Sequence, residues 1–485
     1  MMSSSARPAL SALSVPSRDA LESALAGLSD AHGGAPVGTI ECAVGDFGSV
    51  ARGKSVGRAD FIELSGCRFP SVVFGLTLTA GEPEAVFGPL LPASYLDVSL
   101  VPDLSTLCPQ PGRPAAAAVI CEPAGALRAQ RYERMLCASE LSPRAALRRV
   151  LARLEAAGLA ATVAPELELF LVDRREADGK VSLGAPAAHP GAPARERGCE
   201  AYSLERASHF SEYFDALFDA CHAQGIPVCG HAHEAAYSQY EVNFRPGAPL
   251  QQADAVFRFK RLARQVAARF GFLATFAPKP FLDQPGTGLH WHFSLQYRGG
   301  ARPGEPEQHT NAFARPDGGD RETLGAFIGG LQRHADAAMA FFAPHDMSFE
   351  RIALSDASPS SASWAHDDRA VAFRIPQASP QNRRIENRLP GGDANPYLTV
   401  AATLGMGLAG IEQGLKPAAE SAGVALPRSL PEACDALERS ALMRELFGDP
   451  LVDLFVALKR HESAERCAAA DPRHHWDLVH LVELA

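Results

Sequence analysis

The chain has 485 residues, 46% of them hydrophobic, and a formal charge of −10 at neutral pH. That length holds two or three ordinary domains, or one large catalytic domain with a smaller companion. The acidic balance excludes a general nucleic-acid binder, which would show a basic face, and no run reaches the roughly 20 apolar residues that span a bilayer.

Residues 1–36 are rich in Ser, Ala and Pro. They lack the compact apolar core behind a basic start that marks a secretory signal, and they predict a tail or docking arm with one short helix over 18–28. From 37 to about 125, short β-type runs alternate with turn residues: TIECAVGDFGSVARGKSV, FPSVVFGLTL, LDVSLVPD and AAAAVICE. They predict a small sheet-rich domain. SPRAALRRVLARLEAAG (142–158) reads as a helix with Ser142 as cap and Pro143 in its first turn. APELELFLVD (164–173) is a strand and residues 174–198 a Pro/Gly/Ala-rich surface excursion. A helix over 211–225 stops at Gly225, the strand QYEVNF (239–244) follows, and a long basic helix covers 253–271. GTGLHWHFSL (286–295) is a strand after a glycine turn, 298–320 a loop, and amphipathic helices dominate after 395. Mixed strands and helices without a regular βαβ alternation predict an α+β protein. The ten cysteines show no C-x-x-C pair, so they predict reduced thiols and a cytoplasmic location.

Four strands each carry one face of functional groups, because side chains alternate with period two. Glu166 and Glu168 share a face in the first. Gln239, Glu241 and Asn243 share one in the second, His290, His292 and Ser294 in the third, and Arg384, Glu386 and Arg388 in the fourth. An antiparallel sheet with one wet face is the plain reading, but like charges at i and i+2 repel, and a solvated face has no need of them. If the strands pair, Glu166, Glu168, Glu234, Glu241 and Glu386 converge, and such a cluster stays ionised at neutral pH only with cations among the carboxylates. Carboxylates with an imidazole suit Mg²⁺ or Mn²⁺, whereas zinc sites use more His or Cys. Arg351, Arg369, Arg374, Arg384 and Arg388 crowd the adjoining segment and suit phosphate and carboxylate. Divalent metals with arginine forks are the equipment of phosphoryl transfer.

The stretches PELELFLVD, HEAAYSQYE, ATFAPKP, GTGLHWHFSL, FRIP and RRIENRLPGGDANPYL, in this order, resemble the glutamine synthetase superfamily. They are closest to its γ-glutamyl-amine ligase branch, which joins polyamines, ethanolamine or other amines to glutamate. GDFGSVARGK and VPDLSTL fit the small N-terminal domain of that family. The resemblance runs from about residue 37 to the C-terminus. It implies a β-grasp-like N-terminal domain over 37–125 and a catalytic domain over 126–485 with a curved antiparallel sheet packed by helices. By position it implies that Glu168, Glu234 and Glu241 hold one metal ion, and that Glu166, His290 and Glu386 hold another bridging the phosphates of ATP. His292 and Ser294 fall on the nucleotide side, as do the phosphate-side arginines Arg369, Arg374 and Arg384. Arg351 matches the arginine that grips the α-carboxylate of glutamate, Gly286 lies in the loop beside it, and Arg388 lies near the γ-carboxyl. The implied reaction passes through γ-glutamyl phosphate. The implied assembly is a homo-oligomer, a dodecamer of two stacked hexamers with active sites between subunits.

The sequence departs from ammonia-using members at Pro285, where many of them have asparagine, at their N-terminal aspartate for ammonium, which finds no clear match around FPSVVFGLTL, and in one further loop. After Arg351 it reads IALSDASPSSASWAHDD, with Ala357 where those members place a glutamate and Asp356 beside it. The loss of that acid predicts an organic amine as co-substrate, with Asp356 as a substitute proton acceptor and Trp364 walling the amine pocket. An ammonia-using glutamine synthetase and a non-catalytic scaffold of the same fold are the alternatives. The scaffold should have lost its ligand residues, and all six are present.

Overall fold

The alternating runs of the first quarter form a six-stranded sheet in the computed structural model, which describes residues 14–31, 34, 36–178, 180–187, 196–355 and 358–485. Its strands are β1 (Thr39–Gly45), β2 (Ala51–Gly57), β3 (Cys67–Pro70), β4 (Asp97–Pro102), β5 (Cys108–Gln110) and β6 (Arg113–Ala124). The order is β2–β1–β6–β4–β3 with β5 on β6, and the β1–β6 pair is parallel. Of the run FPSVVFGLTL only the first two residues are strand; Ser71–Gly75 turn as a 3₁₀ helix. Helix α1 (Arg18–Ala31) buries Leu21 and Leu25 completely, so this described part of the predicted arm packs into the core. A short helix, α2 (Arg58–Glu63), follows β2.

A two-strand hairpin, β7 (Ala126–Leu127) with β8 (Leu136–Cys137), leads to α3 (Pro143–Ala156). The Ser142 side chain accepts the Ala145 N–H at 3.1 Å, the cap the sequence predicts. Arg144 on α3 links the N-terminal sheet to α6. Its guanidinium donates to Asp103 and Glu122 of the N-terminal sheet region and to Asp254, each at 2.8–2.9 Å.

The second sheet comprises β9 (Leu159–Ala177), β10 (Lys180–Gly184), β11 (Val228–His233), β12 (Gln239–Phe244), β13 (Leu273–Thr275), β14 (Leu289–Tyr297), β15 (Trp364–His366), β16 (Phe373–Ile375) and β17 (Ile385–Asn387). Its order is β11–β12–β9–β14–β17–β16–β15, with β10 and β13 also on β9, and every pair but β15–β16 is antiparallel. Residues 174–177 and 180–184, predicted as surface excursion, instead extend β9 and return as β10. Val181 is buried there in a second core with Trp476 and Leu478 of the C-terminal segment. The partner lies almost the whole catalytic region away, so no local pattern announces the pairing.

Helices α4 (Leu204–Ser208), α5 (Ser211–Ala223), α6 (Pro249–Arg269), α7 (Glu322–Phe342), α8 (Asp346–Ala353) and α9 (Pro396–Gln413) are threaded between and after these strands. α6 begins at Pro249 rather than 253, since proline fits the first turn of a helix. Asn395 caps α9 through the N–H groups of Tyr397 and Leu398. α7 and α9 touch backbone to backbone: a Cβ on Gly330 would stand 2.2 Å from the Met406 carbonyl. Helices α10 (Leu430–Arg439), α11 (Ala441–Phe447) and α12 (Asp449–Ala468) complete the C-terminal layer. No described helix is long and apolar enough to cross a membrane.

Candidate active site

The large sheet sorts β14 by alternation. Leu289, Trp291, Phe293 and Leu295 are completely buried in the main core, while His290 and His292 stand on the opposite face. Register then assembles their neighbours. Glu168 on β9 pairs with Glu241 on β12, and Glu166 pairs with Asn243 on one side and His290 on the other. His292 pairs with Glu386 on β17, which pairs with Arg374 on β16. Five strands therefore present acid, imidazole and guanidinium side by side. Glu234 follows the end of β11, its carboxylate accepting the Ala235 N–H at 3.1 Å.

Two sets of ligand atoms lie within 4.8 Å of one another: Glu166, Glu241 and His290, and Glu166, His292 and Glu386. Glu166 belongs to both. His292, predicted on the nucleotide side, donates through Nε2 to Glu166 at 2.9 Å and so stands among the carboxylates. His290 lies 3.9 Å from Glu168 and 3.7 Å from Glu386.

The charges divide into two halves. Burial, then the neighbouring Glu234 and Glu241, push the Glu168 carboxyl up to about 8. Burial and Glu166 push Glu241 up to about 7, and burial raises Glu234 as well. The other half is cation-rich. Glu386 is fully buried, which alone would raise it, yet His290, His292, Arg388 and Arg374 hold it down to about 2. Arg374 and Arg388 donate to its two oxygens at 2.5 and 2.7 Å. Burial and Arg388 keep His290 neutral, its pKa lowered to about 3. A neutral imidazole is the form that binds metal.

This donor set fits divalent metal. The carboxylates around Glu168 would take up protons at neutral pH without a cation among them, and their oxygens with imidazole nitrogens match the hard ions Mg²⁺ and Mn²⁺.

The loop before β14 is shaped by glycine. A Cβ on Gly286 would stand 2.2 Å from the Pro278 carbonyl and 2.8 Å from Cγ of Arg351, and one on Gly288 would stand 2.5 Å from Nε2 of His290. Arg351, on α8, is buried and donates to the carbonyls of Leu389 at 3.0 Å and Arg388 at 3.5 Å. Arg384 donates to Nδ1 of His292 at 3.2 Å, and the exposed Arg369 contributes charge felt at Glu234. Ser294 is engaged structurally, donating to the Arg383 carbonyl and accepting from Asn311. Trp364 on β15 donates its indole N–H to the Ala418 carbonyl at 2.9 Å. Among the described residues no hydrogen bond joins it to the carboxylates. Asp356 and Ala357 lie outside the described residues.

Sequence reasoning placed Gln239 and Asn243 on the functional face of their strand but gave them no role, and they fix the ligands. Gln239 donates to Glu168 at 2.9 Å and to the Gly286 carbonyl at 3.0 Å, tying strand to loop. Asn243 donates to Glu241 at 2.9 Å. Both share the face of Glu241, so alternation was the available signal. A second set has no local signal: Asp393 accepts from Ser348 at 2.6 Å and pairs with His345 at 2.9 Å, and Lys459 donates to His345 at 3.3 Å. This buried chain ties α8, which carries Arg351, to the loop after β17.

Comparison with known proteins adds the following. Residues 140–478 match the family described as glutamine synthetase, catalytic domain. Gamma-glutamylputrescine synthetase of Escherichia coli K12 is 29% identical over 434 residues, 87% of this chain and 88% of that protein. Glutamate–isopropylamine ligase of a Pseudomonas species is 28% identical over 463 residues, 92% of this chain and 95% of its own. A solved structure of GmaS in complex with ADP superposes with a TM-score of 0.73 at 26% identity, covering 92% of this chain and 96% of that one.

Proposed function

The chain belongs to the glutamine synthetase family, and from that premise we propose that it is an ATP-dependent glutamate–amine ligase acting on an organic amine rather than ammonia. The observation that carries the ligase reading is the register that sets Glu166, Glu168, Glu241, His290 and Glu386 side by side on one sheet face, with Arg374 and Arg388 on Glu386. The choice of amine is supported by relatives named for putrescine and isopropylamine that span most of this chain.

Glu166, Glu168, Glu234, Glu241, His290 and Glu386 would hold two Mg²⁺ or Mn²⁺ ions, with His292 on Glu166 as a further candidate. Bound there, the ions supply neutralisation of the phosphoryl charge. Arg351 receives the α-carboxylate of glutamate, its guanidinium already aimed by the carbonyls of Leu389 and Arg388. Gly286 leaves the room for that approach. Arg369, Arg374 and Arg384 face the phosphates of ATP, with Ser294 toward the base, and Arg388 lies beside the γ-carboxyl. A γ-carboxylate oxygen attacks the terminal phosphorus and ADP leaves. The amine nitrogen then attacks the acyl carbon, phosphate departs, and the surplus proton passes to Asp356. Trp364 stands toward the amine side. The family's arrangement makes the working form a dodecamer of two stacked hexamers, with one subunit covering its neighbour's site, and the ten free cysteines suit a cytoplasmic setting.

The test is phosphate release from ATP, Mg²⁺ and glutamate with ammonium, ethanolamine, putrescine, isopropylamine or aniline. At least one organic amine should exceed ammonium about tenfold in kcat/KM. Glutamine formed from ammonium as fast as any other amide would overturn the amine assignment, and no glutamate-dependent release with any amine would overturn the ligase.

A further inference from the structure

Helix α6 carries a basic face that stands apart from the carboxylate cluster. Arg258, Arg261, Gln265 and Arg269 recur at spacings of three and four residues, so they share one side of the helix, with Arg264 beside them. That side looks across to β1 and β2 over a cleft with parts of 480 and 320 Å³. The two parts share Glu41, Phe257, Arg261 and Gln265, and no member of the carboxylate cluster lines either one.

The charge in this cleft is unbalanced. Arg52 pairs with Asp46, and Arg261 donates through both terminal nitrogens to Glu41. Glu483, the other acidic side chain in the lining, is paired with Arg174. Lys54, Arg113, Arg258, Arg264 and Arg269 line the same space and make no ion pair among the described residues. Arg258 donates to the Thr106 carbonyl at 3.4 Å and leaves its Nε buried without an acceptor. The Arg264 guanidinium lies over the Phe276 ring at 5.2 Å, with Nε and Nη2 both buried and unaccepted. Charged donors left this way are uncommon in a native interior and call for an explanation. Burial pushes the Arg264 guanidinium down to about 10, with Glu483 only partly opposing it.

We infer that this cleft binds a small organic polyanion bearing phosphate or carboxylate groups. Guanidinium forks match both groups in geometry, and the volume lies in the range of roughly 300–1,000 Å³ common to ligand sites. Lys54 and Arg113 belong to the N-terminal sheet and the other cations to α6, so the ligand spans the junction of the two parts.

The test uses the full-length oligomer, free of Mg²⁺ and nucleotide, titrated calorimetrically at fixed ionic strength with inorganic pyrophosphate and with tricarballylate. Saturable binding is expected, and the tighter probe tells phosphate from carboxylate recognition. Arg264→Gln should weaken it at least tenfold, leaving ligase turnover without the probe unchanged. Lys54→Ala, at a more exposed position, should weaken it severalfold and decides the matter if the first variant does not fold. Glu386→Gln should leave it intact. Absence of saturable binding overturns the inference. So does binding that survives both cleft variants, or binding lost in Glu386→Gln, which would place the anion at the catalytic centre.

Discussion

Glu386 has no exposure to water, and it stays ionised because two guanidinium groups hold its oxygens while His290 and His292 stand close by. Glu386→Gln keeps the shape and removes the charge, leaving Arg374 and Arg388 on a neutral acceptor. Turnover should fall at least ~100-fold, the scale of losing a charge-stabilising group, while circular dichroism stays native; turnover within threefold of the wild type would remove Glu386 from the chemistry. Glu168 and Glu241 behave oppositely. Their folded values, about 8 and about 7, lie above the ordinary carboxyl value, so the folded state holds more protons than the unfolded chain between about pH 4.5 and 8. Stability of the metal-free protein therefore falls as pH rises through that window. Divalent metal displaces the protons, so its affinity rises with pH and its binding releases protons at pH 7. Thermal melts with and without Mg²⁺ from pH 6 to 8.5 should diverge steadily; a Mg²⁺ shift independent of pH would contradict the reading. These residue types were legible in the sequence because E-x-E and H-x-H repel or compete unless something binds them. Their division into two metal sets was not, because Glu166 reaches both groups across different strands.

At the scale of elements, period-two alternation made β9, β12 and β14 readable, since each presents one face to a core that admits only apolar side chains. The fourth functional face runs from Arg384 to Arg388, but ladder pairing supports strand β17 only over Ile385–Asn387. Helix α7 escaped the sequence reading, and fourteen of its 21 residues are buried. The turn into β14 carries a prediction of its own. Gly288 hydrogen-bonds through its N–H to Glu168 at 3.0 Å and sits where a Cβ would meet Nε2 of His290 at 2.5 Å and a Glu168 oxygen at 3.1 Å. Gly288→Ala must push the histidine, the carboxylate or both. The expected result is a loss of Mg²⁺ affinity of about tenfold or more, the range seen when groups supporting metal ligands are disturbed, with a smaller loss of stability. Unchanged metal affinity in a folded Gly288→Ala protein would mean the turn does not shape the site.

For the whole molecule, the proposed division into residues 37–125 and 126–485 raises the question of what joins the parts. Arg144 answers it: one buried guanidinium on α3 donates to Asp103 and Glu122 from the N-terminal side and to Asp254 on α6, and Tyr397 donates to the same Asp254 at 2.7 Å. No spacing rule links these residues, which come from five separate segments, so the sequence could not show the junction. Removing the cation strands several carboxylates in a place with little water. Arg144→Met should cost about 3–5 kcal/mol, the usual penalty for breaking a buried ionic cluster from one side, read as a lower urea midpoint. Glu122→Gln in that background should restore part of it, because one of the stranded charges is then gone. An Arg144→Met protein with the wild-type midpoint, or one made worse by Glu122→Gln, would show that the Arg144 cluster does not hold the two parts together.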